Sequence, residues 1–522
     1  MSDTDNKKKK WTLMFYFASD NTLSPSMLYQ FKAIKTAGYQ VDTNVLVHFD
    51  PHERGIPSMI FEVNRAEKDR RRKSRIGDDQ DPRVRDLAGD QVEPMLNDDE
   101  CMQRSPLSDT DRLTAAEELR HFLDFSRERY PAEKYMLFLV GHGLVVGRDA
   151  FLPDDNPGTG ISLVELDNIL RGFSREVGKD ALELIGMHSC SMSAVEVAYQ
   201  LKGTARYMMG SEGLSFVGAW PYRQMLQKIF STIDKAGQST DIGPDLMERL
   251  HELCLHNSAD FIFAGYSSDL CLCSLEPNRV KTLSGPIERL SKALKAGLKD
   301  NRCKELIQLA HLESQSYFQE LYTDLYDFCE CLKIKCKGSD ANAAQKEIHK
   351  ACESVTRVLS TKRGPIVQAD FFGPDCQYSH GLSIYFPWAR PVEDASEHFL
   401  RNYETYAFVT ELEGDSWLDF LEAYFEETER EKRETRIPDE LKETLKRATA
   451  MFKPMAFRTG TSGTPATALT GGKTSPADAS GDFSYSFIKN YSRDFAITAR
   501  ALKVFEEDEK GPRKNPRKKK RK

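Results

Sequence analysis

An α/β sandwich, with helices on both faces of a mostly parallel sheet, is the fold class this sequence predicts. Three observations predict it. The chain opens strand, helix, strand; two later apolar runs stop abruptly at small polar turns; and strand and helix patterns keep alternating as far as Gly210. A strand, a helix and a second strand imply a right-handed crossover between parallel neighbours. Repetition of that unit lays helices on both faces of one sheet.

Trp11 to Ala18 (WTLMFYFA) reads as the first strand, and Ser19-Asp20-Asn21 behind it as both a turn and a helix N-cap signal. Leu23 to Ala37 follows as a helix, with Leu28, Phe31 and Ile34 at helical spacing, and Val41 to Phe49 as the second strand. Glu67 to Arg104 interrupts the pattern. Its basic block (KDRRRKSR) and acidic clusters (GDDQD, LNDDE), with few aromatics, read as a mobile insertion. Leu113 to Tyr130 is expected as a helix capped from the Asp109–Asp111 region, Tyr135 to Val140 as the third strand and Leu163 to Phe173 as a helix. Leu182 to Met187 is the fourth strand, Ser193 to Leu201 a helix and Arg206 to Gly210 the fifth strand. Helix is then expected to dominate from Asp245 to about Ser360, with Leu270 to Leu275 as an alternating strand inside it. The aromatic-rich 310–335 stretch (YFQELYTDLYDF) reads as a core-packing helix. Gly381 to Pro387 is a late strand and Ser416 to Phe425 a short amphipathic helix. The domain reading is therefore a disordered lead at 1–10, a sandwich core at 11–275, a helical region with a late strand and helix at 276–425, and an extension at 426–522. That extension holds a Gly/Ser/Thr/Ala/Pro stretch, Thr459 to Asp482, and ends in a basic tail, Lys510 to Lys522.

Bulk properties narrow the classes. The 522 residues suffice for a large core. The 40% hydrophobic content is ordinary, so the mean hydropathy of -0.54 reflects long polar segments. A net charge of -7 gives no global attraction to nucleic acid, and any basic partner surface must be local. No apolar run reaches the roughly 18 residues that a membrane span needs. The N-terminal MSDTDNKKKKW is not followed by a signal-type apolar region and cleavage site. Eleven cysteines are an odd number without regular spacing; Cys271 with Cys273, and Cys329 with Cys331, sit too close for ordinary disulfides. A reducing cytoplasm is the expected compartment.

Two strand ends carry chemistry. The third strand runs into Gly141-His142-Gly143, and the fourth runs through His188 and Ser189 to Cys190. An imidazole beside a thiol raises the thiolate fraction and can protonate a leaving amine. A helix opening just beyond Cys190 would favour a thiolate further. Gly143 offers a backbone N–H to an oxyanion, and Ser189 and Ser191 leave room for an incoming chain. Two other readings stand beside this one. His142 and Cys190 are merely a strand-end histidine and a buried cysteine, or His142, His188 and Cys190 bind zinc, for which no fourth ligand presents itself.

With the motifs placed, the sequence resembles the clostripain-like cysteine peptidases of the caspase-related clan over about residues 11 to 425. WTLMFYFASDNTL resembles the family's opening strand and turn, YMLFLVGHG its histidine strand, and HSCSMSAVEVAYQL its cysteine motif. YMMGSEG with the later GAWPY resembles the substrate-pocket segment, and TDLYDF and HGLSIYFP resemble later markers. The resemblance implies a three-layer caspase-like α/β/α sandwich. It implies His142 as general acid and base, Cys190 as nucleophile, and hydrolysis of peptide bonds through a thioester acyl-enzyme. It places Ser211, Glu212 and Trp220 in the substrate pocket together with His188, and no residue is assigned as a metal ligand.

The departures bear on specificity. His188 stands where the family commonly has the Asp that selects Arg or Lys, and Trp220 is followed by Pro221 where a second acid is common. Glu212 is the substitute acid in reach of the motif. The P1 preference stays open between Arg or Lys, a neutral side chain and, with His188 protonated, an acidic one. Family zymogens can cut themselves between His and Cys, which makes Arg148, Arg171, Arg175 and Lys179 candidate processing sites; the Arg-rich insertion Glu67 to Arg104 is another exposed place to be cut, and the alternative is that all of these residues are solvated surface. Some members use calcium, but no EF-hand loop is present and Pro153-Asp154-Asp155-Asn156 is short. The basic tail is a candidate contact for an acidic partner, nucleic acid or an anionic membrane, or a solubilising extension. The rival reading of the chain is a catalytically inactive or partner-triggered relative that serves as a regulatory binding module.

Overall fold

The computed structural model describes residues 8–50, 52, 58–63, 92–94, 113–143, 151–154, 158–236, 245–254, 268–318, 321–362, 364–373, 376–390, 402–412, 414 and 416–434. The first parallel unit forms as its pattern dictates. Strand β1 (Lys9–Phe17) leads into helix Ser24–Ala37 and returns as β2 (Thr43–Phe49), paired in parallel with β1. β5 (Ala132–Val140) lies on the other side of β1, followed by β8 (Leu182–His188) and β9 (Tyr207–Gly210), each parallel to its neighbour. The apolar runs are continuous because these strands are covered on both faces.

The flanks are antiparallel. On one side, β3 (Met59–Val63) pairs with β2 and β4 (Val92–Pro94) with β3. On the other, β10 (Asp269–Ser274) pairs with β9 and β13 (Val367–Phe372) with β10. The nine strands run in the order β13-β10-β9-β8-β5-β1-β2-β3-β4. This mostly parallel sheet with flanking helices is the sandwich that the sequence predicts. β6 (Phe151–Asp154) and β7 (Thr159–Ile161) make a small hairpin, and β11 (Ser316–Tyr317), β12 (Tyr322–Asp324) and β14 (Ser383–Tyr385) a second small sheet.

Alternation along each strand sorts side chains between two cores. Met136, Phe138, Val140 and Leu184 join the core under helices Ser24–Ala37 and Tyr222–Ala236 and the 245–254 helix. Leu137, Leu139, Ile185 and Met187 join the opposite core with Ala115–Arg129, Leu163–Val177 and the later helices Ser284–Gly297 and Ala343–Leu359. Three of these helices begin where side chains cap them. Thr114 with Glu117, Ser162 with Glu165, and Asn342 with Gln345 each form a reciprocal capping box. Thr114 thus replaces the Asp109–Asp111 cap expected from the sequence; residues 109–111 lie outside the described residues.

Other expectations are also corrected. The 310–335 stretch is not one helix. Asn301–Glu313 ends at Ser314, β11 and β12 follow, and Asp324 starts Leu325–Lys335 by accepting from the Asp327 N–H at 2.7 Å. The old helix thus ends well before the Asp324 cap of the new one, a break that periodicity alone does not reveal. The Glu67–Arg104 insertion supplies β4, and the rest of it lies outside the described residues, as do most of the lead, the Thr459–Asp482 stretch and the basic tail. β3 and β13, short strands at or near the sheet edges, escaped the sequence pattern.

Phe138 is the hub of the first core. Its ring stacks on Phe15 at 4.8 Å and meets Trp220 and Tyr222 edge-on. Phe138→Ala is expected to cost roughly 3–5 kcal/mol, because the rigid strands on either side prevent the cavity from collapsing. Urea unfolding of the full chain checks this, and a loss below about 1 kcal/mol would contradict such tight packing.

Candidate active site

The site is built at the carboxyl ends of β5 and β8, the edge at which parallel α/β sheets place their ligands. Val140 is the register partner of His188, and the Gly141 N–H donates to the His188 carbonyl at 3.3 Å. His142 and Cys190 each lie two residues beyond that pair, so the sheet delivers both turns at one level. The turns touch. A Cβ on Gly143 would stand 2.2 Å from the Cys190 carbonyl oxygen and 2.8 Å from the Ser189 Cβ, so any side chain here would force them apart. From the far side, the Leu152 N–H donates to the His142 carbonyl at 2.9 Å and the Leu152 side chain closes over Gly141.

The cysteine turn is strained and heavily tied. Ser191 adopts φ 55, which a non-glycine residue holds only under constraint. Its N–H donates to the Gly213 carbonyl at 3.0 Å, and the Ser193 N–H donates to the Ser211 carbonyl at 2.9 Å. The Ser215 N–H points at the Cys190 sulfur at 3.4 Å. Ser193 Oγ donates to the Gly381 carbonyl at 2.6 Å, 188 residues away in sequence. The helix begins at Val195, five residues past the cysteine and only six residues long, so its dipole does not act on the sulfur as the sequence pattern implied.

Burial decides the charge state. It pushes the Cys190 thiol up to about 11, against the Ser215 contact that favours the thiolate and with a smaller push from Asp269. It also holds the His142 imidazole down to about 4. Near neutrality the two groups rest as neutral thiol and neutral imidazole, rather than as the thiolate that the strand-end motif led one to expect.

His188 is 2% exposed and stacks on Trp220 at 4.7 Å. Its Nδ1 lies 2.8 Å from the Tyr222 hydroxyl and its Nε2 2.7 Å from the Phe216 carbonyl. The carbonyl can only accept, so Nε2 carries the proton and Nδ1 accepts from Tyr222. Burial holds this imidazole down to about 4 as well. A histidine with both nitrogens engaged is available neither to the zinc set His142, His188 and Cys190 nor, near neutrality, as a cation for an acidic substrate. Gly186 makes room for this stack, since a Cβ there would lie 2.6 Å from Phe138 and 3.0 Å from Trp220.

Ser211 and Glu212 follow β9 and are buried. Glu212 turns its carboxyl into the interior, where Oε1 accepts from Ser379 Oγ at 2.6 Å and the Gly381 N–H at 2.7 Å. Sequence reasoning missed the groups that hold this loop: Ser215, Asp269, Asp324 and Tyr222. TDLYDF and HGLSIYFP carried part of the signal, for they contain Asp324 and Gly381, but nothing marked Asp269. Of the candidate processing residues, Arg171 and Arg175 lie on helix Leu163–Val177, with Lys179 just past its end. Arg171 is bound to Asp167, and to the carbonyls of Gln200 and Lys202. Arg148 lies outside the described residues. Asp154, from the short acidic run, converges with Asp20 and Asp50, their ligand oxygens within 4.8 Å of one another, a donor set of the kind that suits a hard cation.

With this geometry in view, the comparison with known proteins is decisive at family level. The Clostripain family model matches residues 15–424. The chain belongs to the clostripain family. Clostripain from Hathewaya histolytica is 23% identical over 429 residues, covering 73% of this chain and 75% of that protein. Two solved structures are also similar. One is an inactive zymogen C11 protease from Parabacteroides distasonis, at 15% identity, with a TM-score of 0.45 and coverage of 77% of this chain and 97% of that one. The other is a secreted C11 cysteine protease from Bacteroides thetaiotaomicron in complex with an irreversible peptide inhibitor, at 15% identity, with a TM-score of 0.44 and coverage of 80% and 99%. The chain is accordingly a cysteine peptidase.

Cys190 and Cys331 are the described cysteines that are only partly buried, and burial pushes both thiols up to about 11. A small neutral alkylating agent is therefore expected to show little preference for Cys190 near neutrality. Its rate at Cys190 should climb as pH rises toward about 11, because the thiolate is the reacting form. Mass-spectrometric rates across a pH series check this; fast, pH-independent labelling of Cys190 would mean a preformed ion pair.

Proposed function

We propose that this clostripain-family chain is an endopeptidase that works through Cys190 as nucleophile and His142 as proton carrier. The observation that carries the reading is the level ending of β5 and β8, with Gly143 seated against the Cys190 backbone. Substrate closes the site further from water. As the sulfur attacks the scissile carbonyl carbon, the thiol proton passes to His142, so charge separates only while the C–S bond forms. The carbonyl oxygen gains negative charge, and the Gly143 N–H is the donor assigned to it in this reading. His142 then gives its proton to the leaving amine as the C–N bond breaks, leaving a thioester on Cys190. A water molecule, deprotonated by His142, attacks that thioester; the C–S bond breaks and the thiol is regenerated.

The pocket in this reading holds no fixed anion from the residues first assigned to it. His188 is neutral and saturated, Trp220 is buried beneath it, and Glu212 faces inward. Arg or Lys at P1 would lose its counter-charge, and a buried cation without one is costly. The expected preference is for a neutral P1 side chain. A reducing cytoplasm, read from the odd and irregularly spaced cysteines, belongs to this proposal. The three-carboxylate cluster at Asp20, Asp50 and Asp154 leaves calcium open as a ligand of the fold, outside the reaction steps.

The test is cleavage of a positional peptide library by the full chain, with and without added calcium and after limited proteolysis. Wild type is expected to cleave with neutral P1 residues preferred over Arg and Lys. Cys190→Ala and His142→Ala should each lower kcat/KM by about a thousandfold or more, the scale on which members of one catalytic unit fail together. A wild type no more active than Cys190→Ala would point instead to the regulatory binding module, and a strong P1 Arg or Lys preference would refute the neutral pocket.

A further inference from the structure

Behind the cysteine turn stands a group of buried acids that the chemistry above does not use. The Glu212 and Gly213 N–H groups donate to the two oxygens of Asp269, at 2.5 and 2.8 Å. Glu212 Oε1 is filled by Ser379 and Gly381, whereas its Oε2 is buried with no donor among the described residues. The Asp324 carboxylate accepts from the His380 N–H, the residue between the Ser379 and Gly381 donors of Glu212, which sets the two carboxyl groups side by side. Asp324 already accepts from two backbone donors, the Asp327 N–H at 2.7 Å and the His380 N–H at 2.5 Å. Two carboxylates in contact share a site only if one carries a proton. Backbone donors on both Asp324 oxygens favour its charge, so the proton belongs on Glu212 Oε2, the one oxygen that otherwise faces nothing.

We propose that Glu212 is a positioning residue of the peptidase: as the neutral acid it donates from Oε2 to Asp324, and it thereby fastens the Ser211–Ser215 loop to the Ser379–Gly381 segment. Both arms that support the nucleophile meet at this point. The loop receives the Ser191 N–H at Gly213 and directs the Ser215 N–H at the sulfur, while Gly381 receives Ser193 Oγ. The proposal rests on Cys190 as nucleophile.

The groups that face Glu212 are Asp269 and Cys271 from β10, Tyr317 from β11 and Asp324 from β12, with Asp327, Cys376 and His380 around them. Burial also lowers the His380 imidazole, against the pull of Asp370, Asp327 and Glu330. Nothing among these groups offsets a second negative charge. Burial and the neighbouring acids raise Glu212 well above the carboxylate range, and burial also raises Asp324, against its two backbone donors. The folded chain therefore keeps a proton that the unfolded chain releases in the ordinary carboxylate range. Its stability falls as pH rises from that range through the raised Glu212 value, because deprotonation sets two carboxylates against each other.

The experiment follows kcat and KM for a library-selected peptide, and the thermal midpoint, across neutral to alkaline pH for full-length wild type, Glu212→Gln, Glu212→Ala and Cys190→Ala. The Gln amide donates to Asp324 and its oxygen accepts from Ser379 and Gly381, but it has no proton to lose. Glu212→Ala is expected to lose kcat by about tenfold or more with a smaller change in KM, and Glu212→Gln to recover most of that loss. In Glu212→Gln the alkaline decline of both kcat and thermal midpoint should move to higher pH than in wild type. Alkaline limbs that superimpose for wild type and Glu212→Gln, with Cys190→Ala inactive, would overturn the shared proton. If Glu212→Ala fails to fold, the Gln pH profile still decides. Activity retained in Cys190→Ala would overturn the nucleophile assignment, and this proposal with it.

Discussion

The contact between Gly143 and the Cys190 backbone is the constraint on which the site depends. Parallel strands have no short turn to set their relative height, so the level of β5 against β8 comes from packing on both faces of the sheet. With Val140 opposite His188, the next two residues of each chain leave the sheet together. Only a residue without a side chain lets the two turns close up, since the space a Cβ would need is taken by the Cys190 carbonyl. A one-residue slip of either strand would send the histidine or the cysteine into the opposite core. Phe138 and Gly186 resist that slip from below, one filling the space that the other leaves under Trp220.

Close packing has an electrostatic consequence. The same burial that sets the register removes water from the thiol and the imidazole, and it disfavours the charged form of each. In the proposed reaction, reactivity then depends on charge developing during attack, in a place where fixed donors act at low dielectric. The cysteine turn is held correspondingly tightly. Ser191 sits in a left-handed conformation that its own sequence does not favour; the loop after β9 holds its N–H, and Gly381, 188 residues beyond Ser193, holds the Ser193 hydroxyl. Ala194 and Ser383 form a parallel bridge, and Glu196 accepts from the Tyr385 N–H and the Tyr403 hydroxyl. The 276–425 region is thus part of the site's framework, packed in the same core as Leu137 and Ile185.

Local pattern determined a good deal by itself. Continuous apolar runs between turn residues are enough to mark β1, β2, β5, β8 and β9, because burial on both faces is written directly into composition. Gly-His-Gly and the Ser-flanked cysteine were visible for the same reason, as polar groups placed where an apolar run stops. Short edge strands such as β3 and β13 were not, since a few residues with mixed burial carry no period. What each polar side chain touches was decided only in three dimensions. His188 could be a pocket group, a ligand or a core residue until Tyr222 and the Phe216 carbonyl took its two nitrogens. Glu212 could face a substrate until Ser379, Gly381 and Asp324 enclosed it, and Asp269 had no mark at all until the chain brought it under the Gly213 N–H. Burial and hydrogen bonding between residues far apart in the chain set those roles, and a linear pattern records which groups are present but not which of them meet.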